Sequence, residues 1–278
     1  MTNLILIEKQ MQVLRLRPPR RTALRMTTRL LLDVFDAVRA RMRLAGFAAP
    51  LILAMGLSSL PAQQPPKPQF SSDAAAERIP NLGALKTELE EYHDCTCKCG
   101  CYAHDLDVQA DRAIAFLRQR AANRRPNEKL ALILDIDDTT LSTYPEMLGA
   151  DFAYIEPAFD QWLETAQAPA IPGTLRLYKE AQSLGVSIIF LTGRKETQRG
   201  ATERNLRAQG FDNWKLLVMR PMDHGTQTIG AFKAVARGQI AGAGYSLVLN
   251  VGDQWSDLKG KPEAEYSVKY PDPYYFIP

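Results

Sequence analysis

At 278 residues, with 46% apolar and 23% charged side chains, the chain can bury the core of one large domain or two small ones, which excludes a disordered or low-complexity protein. The formal charge of +3 is unevenly spread, because residues 1–62 hold ten of the 34 Lys/Arg but only three of the 31 acids, leaving the remainder net negative. The positive surplus therefore lies in a leader, and no nucleic-acid polymer is expected as a partner.

Residues 1–62 have the order of a secretory signal. Arg39, Arg41 and Arg43 precede an uncharged, mostly apolar run over 44–57, and Ser58-Ser-Leu-Pro-Ala62 follows it. A run this short is an h-region rather than a membrane span, and cleavage after Ala62 is expected. The segment before Met42 is long for an n-region, which points to a start at Met26 or Met42 or to an extended leader. No cysteine lies near the cleavage point, so no stable membrane anchor is expected and the protein is read as periplasmic or secreted. Residues 63–72 (QQPPKPQFSS) form a proline-rich polar linker, and a folded domain over 73–278 comes next.

The domain opens with helical patterns over about 72–91 and 104–120, the latter with Leu106, Ala110, Ala113, Ile114 and Leu117 along one stripe. Between them Cys95-Thr-Cys97-Lys-Cys99-Gly-Cys101 carries all four cysteines. In an oxidising compartment an even count favours disulfides, and Cys95–Cys99 or Cys95–Cys101 closes a less strained ring than neighbours two apart. A thiolate metal site is the alternative, with His93 and His104 nearby, although the usual zinc spacings are not present.

Leu130–Leu134 is a continuous apolar run, read as a strand buried on both faces, and it ends in Asp135-Ile-Asp137-Asp138-Thr-Thr140. Burying such a cluster costs several kcal/mol per ion unless a cation or donors compensate it, and strand ends are where open α/β sheets bind ligands. A helical insert follows, then strand 187–191 ending in Thr192-Gly193-Arg194, helix 196–209, strand 215–219, helix 229–240 with Lys233, and strand 245–251 ending in Gly252-Asp253 and Asp257. Alternating strands and helices predict a mostly parallel sheet flanked by helices, a Rossmann-like α/β fold with an N-terminal helical extension. Residues 141–167 are long enough for a small helical cap, with Tyr144, Phe152, Tyr154, Phe159 and Trp162 available either for a flat ligand or for the cap's own core.

The four strand- and helix-borne pieces, in this order, resemble the DxDxT, Thr, Lys and GDxxxD motifs of the haloacid dehalogenase (HAD) superfamily. Phe159-Asp-Gln-Trp162, Phe190-Leu-Thr-Gly-Arg194, Thr202-Glu-Arg-Asn-Leu206, Gly252-Asp-Gln-Trp-Ser-Asp-Leu258 and Pro271-Asp-Pro-Tyr-Tyr275 narrow the resemblance. They are similar to the acid phosphatase branch that includes plant vegetative storage proteins and secreted bacterial acid phosphatases, over about residues 85–278. The cysteine run departs from that pattern.

The resemblance implies hydrolysis of small phosphomonoesters, nucleotide or aryl phosphates among them. Asp135 is then the nucleophile that forms an aspartyl-phosphate, and Asp137 the general acid and base, a role that favours acid conditions. Asp135, Asp137, Asp253 and Asp257 would supply an oxygen site for Mg²⁺. Thr192, Gly193 and Lys233 would hold the phosphate, with Lys233 favoured over Lys215, which begins a strand. Some storage proteins of the branch lack the first aspartate; Asp135 is present here, and Asp137 speaks against dehalogenation. A non-enzymatic storage or metal-binding protein and a phosphotransferase remain the alternatives.

Overall fold

The computed structural model describes residues 79–97, 101–223 and 225–277. The leader, its h-region and the linker lie outside the described residues. Five parallel strands form one sheet in the order β3-β2-β1-β4-β5. They are β1 Lys129–Leu134, β2 Ser187–Lys195, β3 Leu216–Arg220, β4 Tyr245–Gly252 and β5 Tyr266–Lys269. The helices in chain order are α1 Leu82–Asp94, α2 Tyr102–Ala122, α3 Tyr144–Gly149, α4 Glu156–Glu164, α5 Pro172–Ser183, α6 Arg199–Ala208, α7 Ile229–Gly242 and the short α8 Trp255–Leu258.

The central strand shows why the pattern is uninterrupted. Leu130, Leu132 and Leu134 enter the core shared with α2 and α5, while Ala131 and Ile133 enter a second core with Phe232, Ala236 and Ile240 of α7. Alternate side chains of a strand face opposite sides, so a strand covered on both faces must be apolar at every position. β2 repeats this in register, with Leu132 beside Ile188, Ile133 beside Ile189 and Leu134 beside Phe190. On the α2 side Gly173 of α5 lets two helices touch, since a Cβ there would meet the Ala110 methyl at 2.8 Å.

The expected strands and helices are present with shifted edges. β2 runs on through Thr192–Arg194 to Lys195, and a 3₁₀ turn over Glu196–Gln198 precedes α6. The insert after β1 is two short helices, α3 and α4, followed by α5 as the crossover to β2. The edge strand β5 is an addition: four residues, of which only Val268 is buried, leave too short a pattern to read. Among the described residues no helix is long and apolar enough to cross a membrane.

The order of strands reverses at β1, whose neighbours β2 and β4 lead to opposite edges. The crevice beyond the carboxyl ends of strands at such a reversal is the general ligand position of open α/β sheets.

Candidate active site

Asp135 follows β1 directly, and its N–H still bonds the Val251 carbonyl of β4 at 3.1 Å. The chain then turns sharply. Asp138 sits in the left-handed region at φ 51°, held by its own N–H on Leu141 O at 2.7 Å and by donation from Thr143 N and Thr143 Oγ1 to its carboxylate. Thr140 Oγ1 donates to Asp135 O at 2.6 Å and Thr139 Oγ1 to Asp253 Oδ1 at 3.0 Å, so the turn ties the end of β1 to the end of β4.

Asp135, Asp253 and Asp257 are all buried, each with a carboxylate oxygen within 4.8 Å of the others'. Lys233, projecting from α7, donates to Asp135 Oδ1 and to Asp257 Oδ1, both at 2.5 Å. The other oxygen of Asp257 accepts the Gln254 N–H at 2.8 Å, so both of its oxygens already hold protein donors. Gly252 makes room for that carboxylate, since a Cβ there would meet Asp257 Cβ at 2.4 Å. Asp253 is held by Thr139, by Gln254 Nε2 at 2.8 Å and by the Tyr275 hydroxyl at 3.4 Å.

One ammonium faces three buried carboxylates. Burial pushes Asp135 up, against the pull of Lys233, and pushes Asp253 up, with Asp257 and Asp272 adding to the shift. For Lys233, burial opposes the charge, but Asp135 and Asp257 more than offset it and raise its pKa. Lys233 stays charged because its ammonium touches two carboxylates. Three hard oxygen donors this close together fit a small divalent cation such as Mg²⁺.

Asp137 lies on the cavity side. Arg194 donates to it from Nε at 3.1 Å to each oxygen and from an Nη atom at 2.6 Å, while its other Nη atom donates to Thr202 at 3.2 Å. The Arg194 side chain is 2% exposed, so this charge is fixed in place. Thr192 is buried and its Oγ1 accepts the Arg194 N–H at 3.1 Å. Gly193 lines the cavity, and a Cβ there would meet Ile229 Cδ1 at 3.3 Å. Lys215 is exposed at the opening of β3, at the far end of the sheet from these groups.

The cavity over this floor is about 420 Å³, and Tyr154, Phe159, Phe276 and Ile277 form apolar parts of its wall. The aromatic set thus divides. Tyr144 stacks on His93 with centroids 3.3 Å apart and packs near Tyr274, and Phe152 stacks on Tyr274. Tyr154 and Phe159 of the cap region reach the cavity, and Trp162 packs against Phe159 and the core.

Two contributors escaped the sequence reading. Gln254 links Asp253 to the closing segment, through Asp272 at 2.6 Å and through its Oε1, which accepts the Ile277 N–H at 3.1 Å. Arg237 is wholly buried and bonds the carbonyls of Asp257, Lys259, Gly260 and Pro262, fixing the loop after β4. Their sequence signals were present only as neighbours of the motifs, in Gly252-Asp-Gln254 and Pro271-Asp272-Pro.

The profile of the family described as HAD superfamily, subfamily IIIB (Acid phosphatase) matches residues 66–278. Acid phosphatase 1 of Solanum lycopersicum is 32% identical over 203 residues, 71% of this chain and 79% of its own length. Vegetative storage protein 2 of Arabidopsis thaliana is 35% identical over 226 residues, with 76% and 84% covered. The class C acid phosphatase of Bacillus anthracis has a similar fold, with a TM-score of 0.58 at 21% identity, over 70% of this chain and 86% of that one.

Proposed function

Because this chain belongs to subfamily IIIB of the HAD superfamily, the acid phosphatases, we propose that it is a secreted, Mg²⁺-dependent enzyme that hydrolyses small phosphomonoesters through a phosphorylated Asp135. The observation that carries the reading is the meeting of Asp135, Asp137, Gly193, Lys233, Asp253 and Asp257, from β1, β2, α7 and the end of β4, around one cavity. Vegetative storage proteins share the family, but the buried Asp135 with Lys233 on its carboxylate is equipment for chemistry that storage does not need.

Asp135 attacks phosphorus in line with the leaving oxygen, and Asp137 passes that oxygen a proton. Asp137 then takes a proton from the water that cleaves the aspartyl-phosphate. The Arg194 pair holds Asp137 at the cavity and has to loosen when Asp137 takes up the proton that acid conditions supply. Lys233 and Thr192 hold equatorial phosphate oxygens as charge builds there. Asp135, Asp253 and Asp257, with the main-chain carbonyl of Asp137, would hold Mg²⁺, and the ion when bound supplies charge neutralisation for the approaching phosphate. Export rests on the leader over 1–62 ahead of the domain over 73–278, with residues 141–167 as its small cap.

The test is release of phosphate from an aryl phosphate and from a nucleoside monophosphate by protein lacking residues 1–62, at mildly acidic pH, with Mg²⁺ and with EDTA. Turnover that needs the metal is expected. Intact esters in every condition would leave storage as the better account, and phosphate recovered on an added alcohol would make the protein a phosphotransferase.

A further inference from the structure

The cysteine run lies between α1 and α2, and none of its described residues lines the catalytic cavity. Cys97 is disulfide-bonded, whereas Cys95 and Cys101 are thiols, so neither of the pairings favoured from the sequence forms. We propose that Cys95, Cys97 and Cys101 form a site for one thiophilic cation, zinc(II) or copper(I), when the disulfide at Cys97 is reduced.

The three Sγ atoms lie within 4.8 Å of one another. An ion with metal–sulfur bonds of about 2.3 Å holds its sulfurs about 4 Å apart, so little movement is required. The Cys95 and Cys97 sulfurs are already in contact, at 2.9 Å. Both ends of the run are anchored. Tyr92 Oη donates to Asp105 Oδ2 at 2.6 Å, and the Tyr92 and Tyr102 rings meet edge to face at 5.6 Å. Cys101 is buried and its Sγ donates to Cys97 O at 2.7 Å.

Cys101 is also the N-cap of α2, a helix of 21 residues whose first turn takes no side-chain cap. Three thiolates around a divalent ion leave a net negative charge, which the positive end of that helix favours. Neither histidine joins the sulfurs: His93 pairs with Asp94 and stacks on Tyr144. The described donors are therefore all sulfur. These soft donors select against Mg²⁺ and in favour of zinc or copper(I), the reverse of the carboxylate floor.

Disulfide and metal are alternative states of the same sulfurs. Reduction by a dithiol or a phosphine delivers two electrons, and with two protons the bond at Cys97 becomes two thiols. Binding of the ion then displaces the thiol protons.

The experiment uses the full chain, reduced with a phosphine, freed of reductant without oxygen, and saturated with Mg²⁺. Zinc is titrated against a chromophoric chelator and the product examined by X-ray absorption. One zinc per chain with sulfur neighbours at about 2.3 Å is expected. It should persist in Asp135→Asn and be lost in the Cys95→Ser, Cys97→Ser, Cys101→Ser triple variant. Because Cys101 is buried, Cys95→Ser alone is the second probe, with at least tenfold weaker zinc binding expected. A chain with all thiols titratable that takes up no zinc overturns the proposal. So does equal uptake by the triple variant, or a spectrum with only oxygen and nitrogen neighbours. None of these outcomes depends on the phosphatase reading.

Discussion

Two lysines in this molecule have the same partners in different surroundings. Lys233 bridges Asp135 and Asp257 on the cavity floor, and Lys195 bridges Glu156 and Asp160 of α4 at the rim, at 2.7 Å each. The floor side chains are 4% to 8% exposed, whereas Lys195 is 34% exposed and its carboxylates more so. In both places the carboxylates raise the lysine pKa, and on the floor burial also pushes the Asp135 carboxyl up. Distance alone therefore says little about an ion pair. The dielectric around it decides whether it is a latch or a reactive centre.

The sharpest test of this contrast is Asp135→Asn, which keeps the shape of the floor and removes the nucleophile. Turnover is expected to fall by more than about 10⁴-fold, the scale on which such losses act. A variant with full rate would sink the assignment. Lys233→Met comes next. It strands buried carboxylates without their cation, and a loss of about 3–5 kcal/mol is expected by denaturant unfolding in EDTA. Added Mg²⁺ should restore part of it, because the ion replaces the missing positive charge.

The polar layer behind the floor gives the pH dependence. Burial pushes Asp272 up to about 7 from an ordinary value of 3.8, with the Asp138 charge adding to the effect. A carboxyl group raised on folding binds its proton more tightly in the native state. Its contribution is thus complete below about pH 4 and is lost as pH rises toward 7. The metal-free protein is expected to have a lower Tm at pH 7.5 than at pH 5, and Asp272→Asn should flatten that slope. An unchanged slope would place the titration elsewhere. The smallest effect belongs to Lys195→Ala, expected within about 1 kcal/mol of the parent because the pair is solvated. If the rim behaved like the floor, Tm would drop as far as in Lys233→Met.

Much of the floor was legible because an apolar strand that ends in acids has few physical explanations. Asp135, Lys233 and Asp253 stand beside motifs with strong local signals, and each is found where a parallel strand ends or a helix begins. The rim and the supports were not legible. Arg194 meets Asp137 across 57 positions, and Gln254 meets Ile277 across 23, contacts that no periodicity announces. The aromatics of the insert are alike in sequence, yet Tyr144 entered the core and Tyr154 the cavity wall.

The sequence by itself determined the buried parallel strands, the order of elements and the acids at the strand ends, because hydrophobic period and the cost of burying charge are local properties. Only the tertiary structure decided which cation compensates which acid, that Asp257 spends both oxygens on protein donors, and that the closing segment reaches the cavity. Those outcomes depend on distances between residues far apart in the chain, and such distances are set by packing rather than by composition.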